Sequence, residues 1–243
     1  MRLLASIALL CLLFLTVRAS AGPSLLYFVS AQEGAAEVPN GLVGEQLIPD
    51  QLGSSIINFQ GYGSVSFLDG AHVVNGTNNY AQGGGYAAPI LPTGLNYTQN
   101  YYSTELGDVT FDFSNEQTYF GVLWGSVDTE SDGNLLSFYN NSVLISQITG
   151  SQLVSLAQNV QNFYDGSQLF GGTFYLNVYG ANGGQFNEVV ASSGVPSFEF
   201  AEVTVIDPPV NLNSVPEPRT IFLFSEAIFF LLAVIWLIQP RKV

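Results

Sequence analysis

Asp108-Val109-Thr110-Phe111-Asp112-Phe113 is the stretch that decides the fold, because polar and apolar residues alternate along it. This alternation places Val109, Phe111 and Phe113 on one face of a β-strand and polar residues on the other. Shortly afterwards, Thr118-Tyr119-Phe120-Gly121-Val122-Leu123-Trp124 is nearly all apolar, as expected of a strand at the centre of a sheet. The two patterns predict a sheet with one half-buried and one wholly buried strand.

Similar short runs, separated by Gly, Asn and Asp, fill the central region of the chain. The further predicted strands are Leu25–Val29, Ser55–Phe59, Gly63–Phe67, Leu135–Tyr139, Val143–Ile148, Thr173–Tyr179, Asn187–Val190 and Phe198–Ile206. Asn140-Asn141 is typical of a hairpin turn, and Asn75–Gly85 of a long Gly-rich loop. Only Ser151–Val160 has helical spacing. We therefore expect an all-β fold, an antiparallel β-sandwich or jelly roll.

The charge distribution separates a central region from the two ends. Every Lys and Arg lies in the ends: Arg2, Arg18, Arg219, Arg241 and Lys242. Residues 22–218 contain eighteen of the nineteen acidic residues and no Lys or Arg. The negative electrostatic potential of this region repels nucleic acid and anionic membrane surfaces, so we exclude both as its partners.

The same composition limits the chemistry that the central region can perform. His72 is the only histidine, so a His-rich zinc site is impossible. A Ser–His–Asp nucleophile would have only His72 as its base. We predict that His72 is an ordinary strand residue beside the turn at Asp69-Gly70, and that the protein is not an enzyme.

The first twenty-one residues read as a signal peptide. Met1-Arg2 precedes an apolar run, Leu3–Val17, and Ala19 and Ala21 supply the small residues that signal peptidase requires before Gly22. The only cysteine, Cys11, lies in this segment. The exported chain is therefore predicted to lack disulfides and to depend on its core alone.

Residues 211–243 have the features of a membrane-targeting segment. In Val215-Pro216-Glu217-Pro218, each proline fixes φ and removes a backbone donor, which favours an extended chain. The apolar run at 221–238 would form a helix of about 27 Å, close to the thickness of a bilayer's hydrocarbon core. Arg241 and Lys242 follow it, so we predict one transmembrane helix with a cytoplasmic C-terminus.

This tail resembles the PEP-CTERM sorting signal, in which Pro-Glu-Pro, a single span and a short basic end close the chain. The resemblance implies recognition at Val215, Pro216, Glu217 and Pro218 by an exosortase, an integral-membrane cysteine protease of bacteria that make exopolysaccharide. It also implies export, membrane anchoring through the C-terminal helix, and then, after processing, a cell-surface or extracellular location.

Two segments of the central region are similar to ectodomains that carry this sorting signal. One is Tyr119–Asp128 followed by Asn134–Tyr139, and the other is Phe186–Val190 followed by Ser197–Phe200. The similarity implies a lectin-like sandwich of a surface protein, with a structural or glycan-binding role among polysaccharides. We therefore predict three parts. They are a signal peptide at 1–21, a β-sandwich ectodomain at 22–210 and a sorting segment at 211–243.

An acidic loop between two predicted strands is the candidate metal site. Oxygen-bearing side chains at alternate positions, with Gly133 allowing a tight bend, are typical of Ca²⁺ loops. The candidate ligands are Asp128, Glu130, Asp132 and Asn134. The loop is no EF-hand, because Tyr139 stands where a bidentate Glu is required. A plain acidic β-turn explains the same residues, so Ca²⁺ is a candidate and no other cofactor is expected.

Two alternative functions remain open. A carbohydrate-active enzyme needs two carboxylates across a groove, and Asp108 and Asp112 share one strand face, although solvated charge is the better explanation of both. Tyr97, Tyr101 and Tyr102 beside the Gly-rich stretch suggest stacking on sugar rings, although scattered surface aromatics are common. The second alternative leaves the C-terminal span uncut, which would give a single-pass membrane-anchored protein.

Overall fold

The computed structural model describes residues 22–30, 36–39, 42–76, 86, 88–89, 97–125, 127–131, 133–158, 172–195 and 198–207. The strands within these residues are β1 (Ser24–Val29), β2 (Val43–Gln46), β3 (Ile56–Phe59), β4 (Gly63–Leu68), β5 (His72–Val74), β6 (Tyr101–Ser103), β7 (Asp108–Gln117), β8 (Tyr119–Trp124), β9 (Leu135–Asn140), β10 (Val143–Thr149), β11 (Phe174–Ala181), β12 (Phe186–Ser192) and β13 (Glu199–Asp207). One helix, α1 (Gly150–Ala157), follows β10. The predicted signal peptide and sorting segment lie outside the described residues.

The strands form two antiparallel sheets. The seven-stranded sheet has the order β1-β11-β8-β13-β6-β5, and β2 pairs with β13 beside this path. The six-stranded sheet has the order β10-β9-β12-β7-β4-β3. The predicted all-β antiparallel sandwich is therefore confirmed. Two strands, β2 and β6, were not predicted, and β7 continues to Gln117.

The core between the sheets is built from the alternating residues of β7 and the apolar residues of β8. Val109 and Phe111 are fully buried, and the ring of Phe111 lies 5.9 Å from that of Phe120 across the sandwich. Trp124 stacks on Phe198 with ring centroids 4.4 Å apart. The core is thus largely aromatic, and such ring pairs add to the free energy gained by burial.

The outer face of the seven-stranded sheet is also covered. A second apolar cluster forms there, and the segments around Ala36, Tyr86, Ala88 and Tyr97 contribute to it. Leu123 of β8 and Tyr175 of β11 point into this cluster rather than into the central core. Burial on both faces explains why β8 has no polar face.

The hairpin between β9 and β10 and the helix that follows it are organised by local interactions. Asn141 and Ser142 have φ values of 50° and 63°, as a two-residue type I′ turn requires. The predicted turn at Asn140-Asn141 is therefore displaced by one residue. The Thr149 side chain caps α1, and the Gln152 side chain accepts a hydrogen bond from the Thr149 backbone N at 2.9 Å, which completes a capping box.

No helix among the described residues is both long and apolar enough to cross a membrane. The span predicted at 221–238 lies outside them.

Candidate functional site

Asn134, a candidate Ca²⁺ ligand, ties the acidic loop to the core. Its Oδ1 accepts hydrogen bonds from Trp124 Nε1 at 3.1 Å and from the Asp128 backbone N at 2.8 Å. Its Nδ2 donates to Asp128 Oδ2 at 3.0 Å and to Ser193 Oγ at 3.4 Å. The two lone pairs of the amide oxygen are thus used within the protein. Asn134 fastens the loop to β8 in this structure.

Asp128 is buried beside Asn134, and this environment changes its acidity. Burial raises its pKa to about 6, and the nearby Glu130 contributes in the same direction, whereas the hydrogen bond from Asn134 opposes the shift. A Cβ added to Gly150 would lie 2.0 Å from the Asp128 carbonyl oxygen, so the start of α1 packs directly against the loop. The loop is therefore part of the packed structure rather than a free acidic turn.

The structure brings Asp128 and Asn134 together, while Glu130 is exposed and Asp132 lies outside the described residues. Within the part of the chain that is described, no group of three or more His, Cys, Asp or Glu side chains could hold a metal ion. Ca²⁺ binding at this loop stays a prediction.

The tyrosines proposed for sugar stacking are buried. Tyr97 is 3% exposed, and Tyr101 and Tyr102 are fully buried. Tyr101 belongs to the cluster that covers the seven-stranded sheet, and Tyr102 Oη donates to the Leu47 carbonyl at 2.8 Å in the core. The packing of all three rings agrees with the alternative to sugar stacking, since none of them is presented at the surface.

The single histidine lies in β5, as predicted, beside a buried serine and a buried glutamate. His72 pairs with Ser103 of β6, and Ser103 pairs with Glu199 of β13, so the three share one sheet face. Ser103 Oγ is buried and makes no hydrogen bond among the described residues. The order nevertheless places serine between histidine and acid, whereas a catalytic triad needs histidine in the middle.

The outer face of the six-stranded sheet is a polar surface, and most of its outward-facing residues are exposed or half-buried. The strand registers align one residue from each of five adjacent strands into a row across this face. We call this set the outer row: Asn58, Ser64, Asp112, Glu188 and Tyr139. At the strand spacing of about 4.8 Å, the row spans about 19 Å.

Two carboxylates lie side by side at the centre of the outer row. Glu188 of β12 is directly opposite Asp112 of β7, which places their Cβ atoms about 5 Å apart. Partial burial raises the pKa of Glu188, and the adjacent Asp112 raises it further. Because residues 22–218 contain no Lys or Arg, no cation from this region compensates the pair.

The carboxylates that the sequence offered for the alternative enzyme were Asp108 and Asp112. Both lie on the outer face of β7, and Asp112 is exposed, as expected of solvated charge. Burial raises the pKa of Asp108, with a further contribution from Asp69. The direct neighbour of Asp112 is instead Glu188, which the sequence analysis did not select. The alternation of burial in Glu188–Ser192 places Glu188 on the outer face, but alternation along one strand does not reveal which strand lies beside it.

Tyr139 gives the outer row an aromatic side chain. It is half-buried and pairs directly with Glu188 on one side and Leu144 on the other. Two residues before Tyr139 on β9, the Ser137 Oγ accepts a hydrogen bond from Gln147 Nε2 at 3.2 Å. The face thus combines an aromatic ring, carboxylates and neutral hydrogen-bonding groups, the composition of a surface that can bind polyhydroxylated molecules.

A scan against protein-family models finds no match to this chain, and searches of curated proteins and of solved structures find no significant similarity.

Proposed function

We infer that this protein is an exported, non-enzymatic surface or matrix protein whose β-sandwich binds glycans on the open face of its six-stranded sheet. The outer row is the observation that carries this proposal. Its two adjacent carboxylates accept hydrogen bonds and present no donor when ionised. Sugar hydroxyls supply the donors, and Tyr139 offers a ring against which the apolar face of a sugar packs.

The charge of the domain restricts the class of glycan. Residues 22–218 carry eighteen acidic residues and no Lys or Arg, so an anionic polysaccharide would be repelled. We therefore propose a neutral polysaccharide as the ligand.

Targeting forms the second part of the proposal. The signal peptide at 1–21 directs export, and the segment at 211–243 holds the protein in the membrane through its helix at about 221–238. An exosortase-type enzyme then acts near Pro216-Glu217-Pro218, and the sandwich is displayed at the surface or released into an exopolysaccharide matrix. The arrangement of proline, span and basic end supports this route.

Affinity electrophoresis of the exported protein in gels containing neutral polysaccharides tests binding. We expect Glu188→Gln and Tyr139→Ala each to weaken retardation about tenfold, the loss typical of a central contact. Glu45→Gln on β2 is the matched control, because it removes the same charge from the other sheet. Equal retardation of the Glu188→Gln, Glu45→Gln and unmodified proteins would exclude the outer row as the binding site.

Sorting is tested by fusing residues 211–243 to a secreted reporter in an exosortase-bearing host. We expect a processed reporter, and an unprocessed one after Pro216→Ala/Pro218→Ala. The intact mass of protein extracted from the envelope separates processing from a single-pass protein that keeps its span. Processing that is unaffected by the two substitutions would contradict the sorting proposal.

A carbohydrate-active enzyme is the second candidate, favoured by the closeness of Asp112 and Glu188. The spacing of neighbouring strands is compatible with the carboxylate separation of about 5 Å in retaining glycosidases. A screen of glycan substrates distinguishes the two functions. Turnover that is lost in Glu188→Gln would establish the enzyme, whereas binding without turnover supports the glycan-binding module.

A further inference from the structure

One side of the sandwich is formed by two edge strands without charged residues. β1 ends the seven-stranded sheet and β10 ends the six-stranded sheet. The two strands contact each other, and Tyr27 Oη donates to Ser146 Oγ at 2.5 Å. Neither strand contains Asp, Glu, Lys, Arg or His. We call β1 and β10 together the neutral edge.

Exposed apolar side chains concentrate on the neutral edge. Of the ten large apolar side chains exposed in the described parts of the chain, five lie on these two strands. The five are Leu26, Phe28, Val143, Leu144 and Ile145. Val143 is 64% exposed and Phe28 is 48% exposed. Leu26 and Phe28 lie together on the outer face of the seven-stranded sheet, and paired exposed apolar side chains at a sheet edge are typical of an interaction site.

The neutral edge also lacks the usual protection of a free sheet edge. The opposite edges are short, with four residues in β3 and three in β5, whereas β1 has six and β10 has seven. Short length, charge and proline are the devices that prevent edges from pairing with other chains. β10 has an irregularity after Leu144, but the register of β1 with β11 is continuous from Ser24 to Val29.

β1 contacts α1 as well as β10, and its backbone groups on the side away from β11 form a regular row of donors and acceptors. Among the described residues, no strand other than β11 pairs with β1. Such a row selects another β-strand as its partner, because a lipid or a glycan cannot match its alternating N–H and C=O groups.

The charge of the domain indicates which protein supplies that strand. A cationic partner would be attracted to the acidic faces, such as that of Asp112 and Glu188, and not to a strand without carboxylates. Two copies of this chain repel each other through those same faces, and the repulsion is smallest where neutral strands meet. We propose that β1 pairs antiparallel with β1 of a second copy, so that the seven-stranded sheet continues across a two-fold axis.

Cysteine cross-linking of the full chain tests this dimer. Cys11 is the only cysteine, so in a Cys11→Ser background every cross-link must come from an introduced residue. We expect a bis-maleimide reagent to link copies of Leu26→Cys and Phe28→Cys into dimers. Ile56→Cys on β3 is the matched control, because it is 54% exposed on an edge strand at the other end of the six-stranded sheet, and it should stay unlinked. The proposal would be overturned if all three variants cross-link equally, or if none of them cross-links.

Sedimentation of the exported protein gives an independent measurement. We expect a dimer whose dissociation constant falls as salt is added, because salt screens the repulsion between acidic copies and leaves the apolar contact intact. Phe28→Glu should weaken the dimer about tenfold or more by burying an unpaired charge, whereas Ile56→Glu should not. Circular dichroism confirms that both variants are folded. A protein that stays monomeric at all salt concentrations would contradict the dimer. This holds even if the monomer binds vesicles of neutral lipid through Phe28.

Discussion

At the scale of single residues, the acidic loop is governed by the pair of Asp128 and Asn134. The sequence pattern selected both as Ca²⁺ ligands because their side chains carry oxygen. The structure uses the Asn134 oxygen to accept hydrogen bonds from Trp124 and from the Asp128 backbone. The same residue types can therefore form either a packed loop or a metal site, and the pairing of donors with acceptors distinguishes the two uses.

Asp128→Asn should stabilise the protein at neutral pH. Because the pKa of Asp128 is about 6 in the fold and 3.8 ordinarily, the unfolded chain releases this proton first as the pH rises. Asp128 therefore lowers stability progressively between about pH 4 and pH 6. Asparagine keeps an oxygen to accept from Asn134 Nδ2, so we expect a gain of about 1–2 kcal/mol at pH 7 that disappears by pH 4.

Urea unfolding at the two pH values measures this gain. Lower stability of Asp128→Asn at pH 7 would show that the ionised carboxylate is compensated in the fold. If added Ca²⁺ then stabilises the original protein and not the variant, the Ca²⁺ loop is supported.

At the scale of elements, the hairpin between β9 and β10 contains strained backbone. Ser142 has a φ of 63°, a conformation that costs an L-residue about 1–2 kcal/mol. Ser142→Gly relieves this strain but adds flexibility to the unfolded chain. We expect a net gain of roughly 0.5–1 kcal/mol in the free energy of unfolding, measured by urea titration. Ser142→Ala keeps the Cβ and should show no gain. Equal stabilisation by the two substitutions would exclude backbone strain as the cause.

The strands that the sequence predicted are those with a single buried face or a long apolar run. β7 alternates and β8 is apolar throughout, and the structure has both near their predicted bounds. β6 was missed because its three residues are all buried, which leaves no alternation to detect. Its neighbours in the fold cover both of its faces, and such coverage is a property of tertiary packing.

Only part of the candidate site could be predicted from the sequence, because the site also depends on which strands lie side by side. The outward direction of Asp112 follows from the alternation of β7. Its closeness to Glu188 follows from the pairing of β7 with β12, two strands that β8 to β11 separate in the chain. Side-chain direction is a local property, whereas the neighbours across a sheet are set by long-range pairing.

At the scale of the whole molecule, the excess of carboxylates predicts a protein that mild acid stabilises. Four carboxyl groups among the described residues have a raised pKa, with burial as the leading cause in each. These groups are Asp108, Asp128, Glu188 and Glu202. A raised pKa means that the folded state holds the proton more tightly, so stability increases as the pH falls toward these values.

We therefore expect the thermal midpoint to rise between pH 7 and pH 5, and to rise with added salt at pH 7. Protonation in residues 22–218 breaks no ion pair with Lys or Arg, because the region contains neither. Scanning calorimetry across this range measures the trend. A midpoint that falls steadily from pH 7 to pH 5 would contradict it.

The pairing of β1 with β11 has a consequence for the order in which the molecule forms. Ser24 lies opposite Ala181, and the central strand β13 ends only at Asp207. β1 can therefore pair only after β11 has been synthesised, when most of the domain already exists. Pairing between strands so far apart in the chain slows folding. The export proposed above would benefit from that delay, because a polypeptide that cannot close its sheet early remains flexible enough to pass through a narrow channel.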